Sequence, residues 1–187
     1  MKTKFILHGG FTPGQKSENN KDFFKEVLKD APKKPKILLV CFAKDIDRIP
    51  VSTTKVMDEF NKNKWQEKLI FEVANEESFI KQVESADVVY LHGGITLKLL
   101  NVLKKFPNLK ELFEGKIIVG ESAGANVLGK LFYSPSANGT FEGLGLLSVK
   151  IIPHYSEKYK GVFKDMGPDL ESLYLREYQY KVLYSES

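Results

Sequence analysis

The chain has few of the side chains on which much of protein chemistry depends. Of 187 residues one is cysteine and three are histidine. Cys41 alone closes no intrachain disulfide and builds no cysteine-based metal site. It sits in the run Ile37-Leu38-Leu39-Val40-Cys41 and reads as a small buried apolar side chain. No apolar run approaches the length of a membrane span. The N-terminal Phe5-Ile6-Leu7 is too short for the core of a signal peptide, so the expected location is cytoplasmic, without membrane contact. Excess charge is scarce as well. With 28 Lys and Arg against 24 Asp and Glu the net charge is +4, and the lysines are scattered over expected helix faces instead of forming a tract, which argues against nucleic acid as a partner. Internal repeats, low-complexity tracts and linkers are absent too, so residues 1–187 read as a single domain large enough for a sizeable core. If the chemistry needs an imidazole, the choice is among His8, His92 and His154.

What the sequence does contain is alternation. Residues 5–7, 36–41, 69–73, 88–91 and 117–119 are short apolar runs that read as buried strands. Between them lie helical patterns. One, capped near Asn19 or Asn20, carries Phe23, Phe24, Val27 and Leu28. Residues 53–63 carry Val56, Met57 and Phe60, and residues 76–85 carry Phe79, Ile80 and Val83. A fourth, capped by Thr96, carries Leu97, Leu99, Leu100 and Leu103. Such alternation implies a mostly parallel sheet covered by helices on both faces, with ligands at the carboxyl ends of the strands. His8-Gly9-Gly10, a loop over 42–52, His92-Gly93-Gly94 and Ser122 all follow expected strands and so belong to one rim. Residues 11–20 are turn-rich and 134–145 read as a loop. Residues 148–152 form a strand, 157–169 are polar and partly helical, and 173–175 and 178–184 are strands flanking Arg176-Glu177.

Residues 116–131 organise the rest. The apolar run Ile117-Ile118-Val119 turns through Gly120-Glu121-Ser122-Ala123-Gly124 and continues as a small-residue helical pattern. A serine at this corner projects its hydroxyl from the sheet edge, and the flanking glycines leave room for the turn. The N–H groups that follow can stabilise an oxyanion. The alternative is a plain strand–helix junction capped by Ser122.

A serine hydroxyl is a weak nucleophile until a base takes its proton. His154 follows a strand, comes after Ser122 and is held by Pro153, which favours it over His8 and His92, whose Gly-Gly neighbours suit loop shaping or ligand contact. One N–H of Gly93-Gly94 can pair with that of Ala123 as an oxyanion hole; otherwise the glycine pair is a tight turn. Glu142, Asp165, Asp169, Glu171 and Glu177 are the acids available to orient an imidazole. Glu177 lies between two expected strands and Glu142 is its competitor; spacing does not separate them.

Together these pieces resemble the dipeptidase E (aspartyl dipeptidase) family of serine peptidases, relatives of the cyanophycinases. The likeness is carried by Leu91-His92-Gly93-Gly94-Ile95-Thr96, by Gly120-Glu121-Ser122-Ala123-Gly124-Ala125-Asn126, by Gly143-Leu144-Gly145-Leu146 with Ile152-Pro153-His154-Tyr155, and by Leu175-Arg176-Glu177. The resemblance implies an α/β three-layer sandwich with a mostly parallel central sheet, class I glutamine amidotransferase-like (flavodoxin-like). It also implies a Ser-His-Glu triad of Ser122, His154 and Glu177, with oxyanion donors at Gly93 or Gly94 and at Ala123. The implied activity is hydrolysis of small peptides through an acyl-enzyme, with no metal or cofactor, by a monomer or homodimer. Four positions depart from the family's pattern. His92 and Ile95 stand where glycine and asparagine are usual, and Arg176 and Tyr178 replace a usual proline and glycine. The altered oxyanion loop supports a second expectation, a ligand-binding member of the same fold without peptidase activity. An α/β-hydrolase would place its acid before His154, which Glu142 would allow. Lys44, Arg48, Lys130 and Arg176 are the cations available to meet an acidic substrate.

Overall fold

The structure is a computed structural model that describes residues 2–12, 15–64 and 68–185; Pro13 and Gly14 of the expected turn-rich stretch lie outside the described residues. Among the described residues, ten strands fall into two sheets. In the larger, β1 (Lys4–His8), β5 (Ile117–Glu121), β4 (Val88–Leu91), β2 (Lys36–Val40) and β3 (Ile70–Val73) run parallel in that spatial order. β10 (Tyr180–Tyr184) adds antiparallel to the free side of β1. The four inner strands β1, β5, β4 and β2 are buried on both faces, which is why they read as continuous apolar runs and not as alternating ones.

Alternate residues serve different layers. Ile6, Ile37, Leu39, Val88, Tyr90 and Val119 pack under α1 (Lys21–Lys29) and α2 (Ile49–Asn63). Leu7, Leu38, Val40, Val89, Leu91 and Ile118 face α3 (Phe79–Ser85), α4 (Thr96–Leu103), α5 (Leu109–Leu112) and α6 (Ala123–Leu128). The mostly parallel sheet between covering layers agrees with the expected class I glutamine amidotransferase-like architecture.

Several local readings are corrected. α2 starts at Ile49, inside the expected loop, because Pro50 falls in its first turn, where a missing N–H costs nothing. α3 is shorter than expected and buries Phe79, Gln82 and Val83, leaving Ile80 half exposed. Asn20 and Thr96 stand near helix starts but cap neither. The Asn20 carboxamide turns to His8, and Thr96, already inside α4, accepts a bond from Asn126 Nδ2 at 3.3 Å.

The largest correction follows the elbow. The helix expected to continue to residue 131 stops at Leu128, and the expected loop contains strand. β6 (Gly129–Ser134) and β7 (Gly139–Glu142) form a second sheet with β8 (Leu147–Pro153) and β9 (Glu171–Leu175) in the order β7-β6-β8-β9. Gly129 is where the chain turns extended, and a Cβ there would stand 2.8 Å from Ile151 Cδ1. Phe132, Val149, Ile151 and Leu173 of this sheet join the core on the α6 side. β8 and β9 are parallel, with Pro153 opposite Leu175, so the residues after both strands emerge together. Of the expected partly helical stretch 157–169, one short 3-10 turn is present, Glu157–Tyr159.

Candidate active site

Ser122 leaves β5 with φ 51° and ψ −103°, a conformation that non-glycine residues rarely adopt and that turns the chain sharply into α6. Its N–H donates to the His8 carbonyl at 2.9 Å, and its carbonyl accepts the Asn126 N–H at 3.0 Å. The flanking glycines are required by contact. A Cβ on Gly124 would lie 2.1 Å from the Leu91 carbonyl oxygen, and one on Gly120 would lie 2.7 Å from Ala125 N. The Ser122 hydroxyl makes no capping bond. It stands 2.9 Å from His154 Nε2.

His154 follows β8, also with positive φ (50°), and its N–H donates to the Gly9 carbonyl at 2.8 Å. Its ring lies against Gly10, where a Cβ would come within 2.2 Å of Cε1 and 2.3 Å of Nε2. On the other side, His154 Nδ1 is 3.4 Å from Glu177 Oε1. Glu177 is the carboxylate within ion-pair range of His154 among the described residues. Both side chains are open to water (42% and 57% exposed), so this contact is screened and looser than a buried acid–imidazole bond. Glu142 ends β7 opposite Leu131 and lines a cavity of about 430 Å³ with Lys130 and Asp169. Of the four candidate cations, Arg176 is engaged by Glu157 at 3.0 Å.

The glycine pair after β4 lies beside the nucleophile turn. A Cβ on Gly93 would meet Glu121 Oε1 at 2.9 Å and Ser122 Cβ at 3.3 Å; one on Gly94 would meet the Ala43 carbonyl oxygen at 2.5 Å. Gly93 therefore stands against the serine's own Cβ, while Gly94 packs on Ala43.

Beneath them is a polar cluster that sequence reasoning missed. Glu121 is buried and accepts the Tyr90 hydroxyl at 3.0 Å; His92 Nδ1 stands 3.3 Å from the same oxygen, Oε2, an ion-pair distance without hydrogen-bond geometry. Burial, and then the Glu121 charge, holds the Tyr90 hydroxyl pKa well above its ordinary value. The usable signal was position. Glu121 is two residues past Val119 on β5 and so shares the face of Tyr90. His8 is also fully buried, and burial is the main cause that lowers its pKa to about 4, so it is neutral at physiological pH. Cys41 is buried beneath the same rim, and burial pushes its thiol up to about 12. Among the described residues, no cluster of three or more His, Cys, Asp or Glu is arranged to hold a metal ion, and no helix is long and apolar enough to cross a membrane.

A hydroxyl on a strained strand–helix turn, within hydrogen-bond reach of an imidazole, defines the chemistry of a serine hydrolase. Residues 5–174 match peptidase family S51, and the chain belongs to that family, a family of serine-type peptidases. The match ends before Glu177. No curated protein matches the chain. Solved structures that share its fold include two peptidase structures. One is a peptidase from an acI-B1 Actinobacterium, 21% identical, with a TM-score of 0.72 over 98% of this chain and 84% of that one. The other is a candidate peptidase E protein from Listeria monocytogenes EGD-e, 15% identical, with a TM-score of 0.67 over the whole of both chains.

Proposed function

We propose that this serine peptidase hydrolyses small peptides through an acyl-enzyme on Ser122, with His154 as the proton shuttle and Glu177 as the group that orients it. The observation that carries this reading is the 2.9 Å contact between Ser122 Oγ and His154 Nε2. His154 Nε2 takes the hydroxyl proton as Oγ attacks the scissile carbonyl. The negative charge that develops on the carbonyl oxygen falls between the Ala123 N–H and the backbone of Gly93-Gly94. A single such donor contributes about 3 kcal/mol of barrier lowering. The imidazolium returns its proton to the departing amine, which leaves as the C–N bond breaks. Water then attacks the ester carbonyl as Nε2 takes its proton, and Nε2 returns that proton to Ser122 Oγ as the C–O bond breaks and the acid leaves. Glu177 favours the tautomer with a proton on Nδ1 and the charged ring that forms in between.

The test is turnover of a dipeptide panel, Asp-X beside neutral X-X, by wild type and Ser122→Ala. Wild-type cleavage that falls by at least about a thousandfold in Ser122→Ala supports the reading. Equal turnover by the two proteins sinks it.

A further inference from the structure

The groups assigned to catalysis arrive from two different sheets, yet one tripeptide touches all three of the segments that bear them. The carbonyl of His8 accepts the N–H of Ser122 at 2.9 Å, that of Gly9 accepts the N–H of His154 at 2.8 Å, and that of Gly10 accepts the N–H of Tyr178, the residue after Glu177, at 3.1 Å. Gly9 returns its own N–H to the Gln179 carbonyl at 2.8 Å. Three consecutive acceptors therefore set the spacing of nucleophile, base and acid.

The tripeptide is held in a conformation open to few residues. Gly10 has φ 106°, and the path runs so close beneath the β9 end that a Cβ on Gly9 would lie 2.0 Å from the Arg176 carbonyl oxygen. A glycine pair is flexible, so something else must fix it. The His8 side chain is placed to do so. Its Nδ1 accepts the Gly10 N–H at 3.0 Å, and its Nε2 stands 3.0 Å from Asn20 Oδ1. A backbone N–H only donates, so Nδ1 must present its lone pair and Nε2 must carry the proton. That proton in turn requires an oxygen from Asn20. The two bonds thus select one tautomer of neutral imidazole, and the rings of Phe11 and Phe23 pack around it at 5.3 and 4.3 Å. The pKa near 4 leaves that form in place at neutral pH.

We propose that His8 is a positioning residue for the peptidase reaction. Its imidazole locks the Gly9-Gly10 turn, and through the three carbonyls of that turn it holds Ser122, His154 and Glu177 at reacting distance. The proposal rests on the catalytic reading above. Losing the Nδ1 acceptor strands the Gly10 N–H, frees the turn and removes the backing of the His154 ring. A displacement of about 1 Å in such a constellation costs on the order of a hundredfold in rate.

Two substitutions separate positioning from packing. His8→Leu fills the site without an acceptor. His8→Asn restores one, because an Asn oxygen can accept the N–H two residues on, as in an Asx-turn. Each is compared with wild type by kcat and KM on one cleaved dipeptide, by the rate of fluorophosphonate labelling and by the urea midpoint. The expected result is a fall of about 10- to 100-fold in kcat and labelling rate for His8→Leu, with KM unchanged, and recovery of most of that loss in His8→Asn. Equal losses in both variants, or a change in KM alone, overturn it, as does a His8→Leu enzyme with wild-type kcat. If His8→Leu does not fold, Asn20→Leu takes its place. It keeps the histidine and frees Nε2, and unchanged kcat there overturns the proposal while a drop at constant KM supports it. A wild type inert in both assays overturns the catalytic reading itself, and the positioning role with it. A reactive wild type with indifferent variants overturns the positioning role alone.

Discussion

His8 and Cys41 carry their shifts for the same reason, burial, with opposite consequences. The unfolded chain binds a proton at His8 below about 6.5, and the folded chain does so below about 4. Between those values the unfolded state holds more protons, so stability rises with pH across that window and is lost as pH falls through it. The shift corresponds to about 3 kcal/mol at most. It is offset in part by Glu121 and Asn20, which favour the charged ring, and reinforced by His154. Urea unfolding at pH 7 and pH 4 should show this loss in wild type and less of it in His8→Asn; identical pH dependence in the two would remove the assignment to His8. Cys41, with its thiol near 12, should resist iodoacetamide in the folded protein at neutral pH and react once the chain is unfolded in urea. Fast alkylation of native protein would show the site to be open. Glu177 is a different case. It stands 3.4 Å from His154 and is half exposed, so under the proposed role Glu177→Gln should lower kcat by about tenfold, far less than the ~10⁴ of a buried triad acid. A drop above a thousandfold in steady-state kinetics would mean a tighter contact than the geometry gives. At this scale the Ser122–His154 pairing was legible because glycines mark the turn and histidines are few. Asn20 and Thr96 were misread as caps because tertiary partners, His8 and Asn126, recruit their side chains.

The elbow and the second sheet show what local pattern can and cannot carry. Strand, turn and short helix around Ser122 were readable because apolar run, glycines and small residues each demand the same geometry. Gly124 is the tightest point, and Gly124→Ala should destabilise the protein by about 2 kcal/mol or more, since the obstructing atom is the Leu91 backbone carbonyl and cannot rotate away. An unchanged urea midpoint would contradict that packing. β8, β9 and β10 fall where strands were expected, but β6 and β7 were not readable. Leu131, Phe132 and Tyr133 continue an apolar run that suits helix or strand equally in isolation, and β7 has only Phe141 as an apolar residue in a stretch otherwise rich in loop-forming residues. Both exist because β8 offers its edge to β6, a pairing set by tertiary structure.

Across the whole molecule, the first sheet was visible in its alternation of apolar strands with amphipathic helices, down to the shared rim. How the site is assembled was not visible, because it depends on two sheets meeting at one turn. β5 delivers Ser122, while the parallel pair β8 and β9 delivers His154 and the segment of Glu177, with β1 ending between them. That arrangement makes the claim about the serine directly measurable. Incubation with a fluorophosphonate, followed by peptide mapping by mass spectrometry, should place one adduct on Ser122. The adduct should be absent in Ser122→Ala and formed at least about a hundredfold more slowly in His154→Ala. An adduct on another residue, or one that persists in Ser122→Ala, would contradict the account.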